Sequence, residues 1–183
     1  MIGEKGKSYR FIFVISFMFV VFTFITGCGK QAEDRSKQQA HTALDQLLSC
    51  TLQQADDIEA AIDEDLLKVT ADSEIGLIQG GEALMDFFTE KFSDSMTDEC
   101  IERLAMGRAI YKSVALAKNL NSDIKADKIE LTERSGEKES FNFLVEVKTS
   151  EGEYAGSASG SITMEQVGAE WKAFQITLNM DDV

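Results

Sequence analysis

Proline is absent from all 183 residues, histidine occurs once and basic residues are scarce. Without proline no helix or strand is broken from within by a fixed φ and a missing N–H, so long uninterrupted elements are allowed. A single histidine, His41, leaves serine or cysteine triads and histidine-rich metal sites almost nothing to use. The 18 Lys and Arg stand against 32 Asp and Glu, for a net charge of −14. That balance argues against a nucleic-acid partner and against direct adsorption to anionic lipid. No cofactor motif and no metal cluster is legible. The acidic stretch DDIEAAIDED lacks the glycine and distal glutamate that a calcium-binding loop needs, and reads as a solvated helix end.

What is present begins at the N-terminus. Lys5, Lys7 and Arg10 precede an apolar run from Phe11 to Ile25, interrupted only by Ser16 and Thr23. A spanning helix needs roughly 20 apolar residues, whereas a basic start followed by a shorter apolar run is the pattern of a secretory signal. The run ends in Ile25-Thr26-Gly27-Cys28, which resembles the lipobox of bacterial lipoproteins. The resemblance implies cleavage between Gly27 and Cys28 and a diacylglyceryl group on the Cys28 sulfur. Two acyl chains suffice for stable anchoring where one is marginal. The implied location is the cell membrane, lipid-anchored on its extracytoplasmic face.

The expected organisation is therefore a signal peptide over 1–27, a lipidated N-terminus and short linker over 28–36, and one domain over 37–183. Three basic residues and one acidic residue fall in the first 27 positions, which leaves 15 against 31 and a net charge of −16 for the remainder. A short polar linker, extended at about 3.5 Å per residue, holds the domain within roughly 30 Å of its anchor.

Apolar residues at Leu44, Leu47, Leu48, Ala55, Ile58 and Ile62 recur at helical spacing and predict one helix over about 38–62. Leu84, Phe87, Phe88 and Phe92 predict a second over 81–92. Its Gly80-Gly81 start could receive an anion, but Glu82 in the first turn repels one, and a flexible turn is the better reading. Thr97 with Asp98 and Glu99 caps a third helix over 97–119, with Cys100, Leu104, Tyr111, Val114 and Ala115 on its buried side. After Asn121 the period changes from 3.6 to two. Phe141, Phe143, Val145 and Val147 alternate on one face, and turns at Gly152 and Gly168 separate strands near 124–134, 139–149, 153–165 and 170–180. The fold class is α+β, with N-terminal helices packed on a four-stranded antiparallel meander.

The helical first half, IQGGEALMDFF and the last-strand opening GAEWKAFQI together resemble the nuclear transport factor 2-like, or ketosteroid isomerase-like, superfamily. The resemblance implies a cone-shaped, cystatin-like superfold with a pocket between sheet and helices. Isomerase chemistry there would need a buried carboxylate base and an acidic hydroxyl facing one substrate atom. Tyr111 and Tyr154 are the phenols considered for it, while Glu130, Glu146 and Glu165 sit where alternation turns them outward. No catalytic residue is carried over. Gly156–Ser161, GSASGS, is the pattern of a strand closely approached by a helix or another backbone, or of one kept shallow to open a cavity with Tyr111 and Phe174 as walls.

Cys50 and Cys100 remain after lipidation and would face a compartment where disulfides persist. They are a disulfide candidate, with two separate buried thiols as the alternative. Three function classes fit these observations: a noncatalytic domain binding a small molecule, peptide or protein; an isomerase-like pocket enzyme; and a scaffold component of an envelope secretion or conjugation assembly.

Overall fold

A computed structural model of the chain describes residues 34–72, 81–134 and 137–182. The lipobox, Cys28 and Gly80 lie outside the described residues.

Helix α1, residues 34–48, buries Ala40, Ala43, Leu44, Leu47 and Leu48. Spacings of three, four, seven and eight place all five on one stripe. The predicted single helix over 38–62 is two helices. At Cys50 the chain leaves the helical path and forms a bridge to Ile124, with Cys50 N donating to Ile124 O at 3.0 Å and Ile124 N donating to Cys50 O at 2.9 Å. Helix α2 (Leu52–Asp72) then starts on a reciprocal capping box. Gln54 N donates to Thr51 Oγ1 at 3.1 Å, and Thr51 N donates to Gln54 Oε1 at the same distance.

Helix α3 (Glu82–Phe92) buries Leu84, Phe88 and Phe92. The predicted helix over 97–119 is also two, α4 (Asp98–Met106) and α5 (Ile110–Leu120). Gly107 ends the first, and Arg108 follows with φ 59°. The start is as predicted, since Thr97 accepts from Cys100 N at 3.2 Å. Because the break resets the helical phase, Ala115 is exposed, contrary to the single-helix expectation, while Ser113, Val114, Leu116 and Ala117 point inward.

The strands β1 (Ile124–Arg134), β2 (Glu137–Thr149), β3 (Tyr154–Val167) and β4 (Glu170–Asp182) form one antiparallel sheet in the order β1-β2-β3-β4. Gly152 and Gly168 turn the last two hairpins with φ 88° and 66°, left-handed values at which a side chain is strained. The inner face carries Phe141, Phe143, Val145 and Val147 of β2 with Ala158 and Ile162 of β3, in one core with the helices. Lys128, Glu130, Leu144, Thr177 and Asn179 lie exposed on the other face.

The GSASGS stretch answers to close packing. A Cβ on Gly156 would stand 2.9 Å from Asp181 O and 3.8 Å from the Leu116 side chain of α5, and one on Gly160 would stand 1.9 Å from Thr177 O.

Candidate functional site

Leaving the helical path at Cys50 does more than divide α1 from α2. It opens a hollow of about 590 Å³ between the end of α1, the start of α2, Lys91 of α3 and the beginning of β1. Ser49 ties the floor together: its hydroxyl donates to Asp45 Oδ1 at 3.2 Å and accepts from Ala126 N at 3.0 Å. Asp123, just before β1, accepts from Leu52 N at 2.7 Å through Oδ1 and so adds a second cap to α2. Thr51, Gln54, Lys125 and Ser150 complete a predominantly hydrogen-bonding wall, with Cys50 and Ile124 as its apolar part.

Lys91 is the unusual group in this hollow. Its ammonium donates to Ser49 O at 3.4 Å and Gln54 Oε1 at 3.5 Å and lies 5.2 Å from the centre of the Phe92 ring. These partners are neutral and the hydrogen bonds long. Burial pulls the Lys91 ammonium below the usual lysine range, with the neighbouring Cys50 acting the other way. Burial pushes the Cys50 thiol up, opposed by the Lys91 charge and reinforced by Asp123. A desolvated ammonium with weak neutral partners gains from an anionic group arriving in the open space beside it.

The residues singled out in the sequence are dispersed. Cys50 and Cys100 are free and buried, which corrects the disulfide expectation. Cys50 is bridged to β1, whereas Cys100 lies beside the backbone of Ile176 on β4. β1 and β4 are opposite edges of the sheet. Three strand spacings of roughly 4.8 Å separate them, about twice the Cα separation a disulfide spans.

Tyr111 and Phe174 are each engaged by a different side chain. Tyr111 packs edge-to-face on Phe88, with ring centres 5.8 Å apart, and burial raises its phenol. Phe174 lies under the Arg103 guanidinium, 4.7 Å from its ring centre, and its carbonyl accepts from the same arginine. Neither residue lines the hollow at Lys91 or a second one, of about 560 Å³, between α1 and Ile129 and Leu131 of β1. His41 borders that second hollow as an exposed helix residue, as its position predicts.

Asp65 is the surprise in the acidic stretch read as a solvated helix end. It is 4% exposed, and its two carboxylate oxygens accept from Ala83 N at 3.2 Å and Leu84 N at 3.1 Å. The α3 start does receive an anion, and that anion is part of the chain. Gly81 makes the approach possible, because a Cβ there would fall 1.9 Å from Asp65 Cγ. Asp65 is close enough to Tyr111 to raise its phenol further, yet both carboxylate oxygens are committed to capping.

Lys91 was invisible in the sequence, since a lysine at the polar edge of an amphipathic helix looks like any solvated one. The helix break beside it did leave a signal, the Thr51-x-x-Gln54 capping box. Among the described residues no group of three or more His, Cys, Asp or Glu side chains is placed to hold a metal ion. No helix among them is long and apolar enough to cross a membrane.

No protein-family model matches the chain, and no curated protein matches it. A solved structure, the solution NMR structure of a de novo designed β-sheet protein, is 10% identical over 70% of this chain and 92% of its own length, with a TM-score of 0.27, a likeness too slight to bear on fold or function.

Proposed function

We propose that the chain is a cell-envelope lipoprotein, anchored through Cys28 on the extracytoplasmic face, whose domain binds a small polar ligand without transforming it. We further infer that the domain is a cone of the cystatin-like, nuclear transport factor 2-like kind. The order of basic start, apolar run, small residues and cysteine supports the anchor. Helices followed by a four-stranded meander, with a glycine of β3 where Leu116 of α5 approaches it, support the cone.

The observation that carries the binding reading is the Lys91 ammonium, half-buried at an open hollow and held only by long contacts to neutral groups. Binding demands little else of the site. Catalysis would need a second group aimed at the same atom, whereas the aspartates of the hollow, each with one oxygen engaged by Leu52 N or the Ser49 hydroxyl, need only accept a further hydrogen bond to hold a ligand.

Two measurements test this. In a bacterial host the chain should take up labelled fatty acid and sediment with membranes, and Cys28→Ser should lose both properties. An unaltered Cys28→Ser protein would overturn the anchor. For binding, saturation-transfer NMR against a mixture of amino acids, short peptides, sugars and nucleosides should return a signal that Lys91→Met removes. Silence from every class, or signals indifferent to Lys91→Met, would overturn the binding reading.

A further inference from the structure

The charges around the hollow at Lys91 are balanced. Two lysines, Lys91 and Lys125, and two aspartates, Asp45 and Asp123, line the same open space of about 590 Å³. Each aspartate has one oxygen engaged within the protein, Asp123 Oδ1 by Leu52 N and Asp45 Oδ1 by the Ser49 hydroxyl. A carboxylate has two oxygens with several lone-pair sites, so both retain accepting capacity. Lys91 has three donors, and the two hydrogen bonds it makes are long and go to neutral oxygens.

A ligand that is only an anion gains at Lys91 but meets two aspartates across the hollow. One that is only a cation gains at Asp45 and Asp123 but meets two lysines. A ligand carrying one group of each sign satisfies both halves. The remaining wall, Thr51, Gln54 and Ser150, offers hydroxyls and an amide that suit a peptide unit between the two ends. The volume lies within the usual range for small-molecule sites.

We propose that this hollow takes a small zwitterion, a short peptide or amino acid with both termini free, its carboxylate on Lys91 and its ammonium on Asp45. The inference rests on the hollow being a binding site, and it names the class of ligand. Asp123 is the less suitable partner for the ammonium because its carboxylate is already a cap of α2. Lys91 is a good carboxylate receptor because its charge is partly desolvated: a charged acceptor restores what burial has withdrawn. A ligand with only a carboxylate, which has no ammonium of its own to lose near about pH 8, should bind more weakly as pH rises toward the lowered Lys91 range, before ordinary lysines deprotonate.

The test compares three probes of one size on the full chain in detergent micelles, followed by amide NMR: glycylglycine, its N-acetylated form, which keeps only the carboxylate, and glycylglycinamide, which keeps only the ammonium. Glycylglycine should move the Ser49, Thr51, Lys91 and Ser150 amides with an affinity about tenfold better than either blocked form, the factor one charge-assisted contact is worth. Lys91→Met should abolish the advantage over the amide, and Asp45→Asn the advantage over the acetylated form. Lys91→Met removes a desolvated charge while keeping the apolar stem over Phe92, so its melting temperature should not fall. Equal binding of all three probes would overturn the zwitterion and leave the hollow a binding site. No movement of these amides with any probe would overturn both.

Discussion

Two helices in this domain begin on a carboxylate sent from elsewhere in the chain, and the two starts have opposite characters. At α3, Asp65 reaches across from α2, is 4% exposed and seals against Gly81 with no room for a single added carbon. At α2, Asp123 reaches back from the start of β1 and bonds Leu52 N at 2.7 Å, beside a hollow of about 590 Å³. The electrostatics are shared, since a negative charge at a helix N-terminus meets the unpaired amides and the positive end of the helix dipole. The surroundings differ. A residue without a side chain lets the joint at α3 close, whereas at α2 the capping work is divided among Asp123, Thr51 and Gln54. Space for a ligand survives where the cap is redundant.

The difference should be largest in stability. Asp65→Ala leaves two amides, one of them fully buried, without their charged acceptor, and should cost about 3 kcal/mol, lowering the melting temperature by roughly 10 °C for a domain of this size. Gly81→Ala should cost nearly as much, because its methyl displaces the carboxylate. The double variant should be little worse than either single one, since both remove the same contact. Asp123→Ala should cost about 1 kcal/mol, the usual worth of an exposed cap, because Thr51 and Gln54 still hold α2. Denaturant unfolding of the four variants decides it. A loss at Asp123 equal to that at Asp65 would mean the open joint is as indispensable as the closed one.

The two free thiols sharpen the same contrast. Cys100, in the first turn of α4, is pushed up to about 11 by burial, opposed chiefly by the nearby Arg103. Cys50, at the open joint, is also raised, but Lys91 opposes it. Between pH 9 and 11 the unfolded chain loses the Cys100 proton while the folded chain keeps it. The stabilisation present below pH 9 is therefore lost as pH rises through that window, by roughly 3 kcal/mol. Cys100→Ala should flatten this fall, and Cys50→Ala should change it less. Denatured protein lipidated at Cys28 and purified in air should titrate two free thiols, Cys50 and Cys100. A pH profile unchanged in Cys100→Ala would show that the burial is not felt as charge desolvation.

These contrasts also explain what could be read in advance. The sheet was legible almost to its ends because alternation such as Phe141, Phe143, Val145, Val147 is a local signal, and the turns at Gly152 and Gly168 mark its hairpins. The two helix breaks were missed although each has a local cause, the Thr51-x-x-Gln54 box and Gly107 before left-handed Arg108. Apolar residues can be strung at helical spacing through both breaks in the sequence, so periodicity alone passes over them. Asp65 and Lys91 could not be found in this way. One acid in an acidic run and one lysine at a helix edge acquire their character only when α2, α3 and β1 meet. Tyr111 and Phe174, chosen as aromatic residues suited to a wall, were instead taken up by Phe88 and Arg103.

The smallest effect should be at the ion cluster on the outside of α2. Lys118 of α5 bonds Asp56 at 2.7 Å and Glu59 at 3.0 Å, contacts that raise its ammonium above the usual lysine range. The geometry is short and doubly charged, and by distance alone it would outrank the cap at Leu52. Its setting reduces it: Asp56 and Glu59 are 61% and 57% exposed, so water and salt screen the attraction and ordering the long side chain opposes it. Lys118→Met should leave the melting temperature unchanged at physiological ionic strength and lower it only slightly in dilute buffer. Asp123→Ala, measured alongside, should show the larger loss with little dependence on salt, because it removes a directed bond to a backbone amide. Should Lys118→Met prove the more damaging of the two, α2 would be held by its flank and not by its start, and the redundancy of the cap at the hollow would no longer explain why that joint stays open.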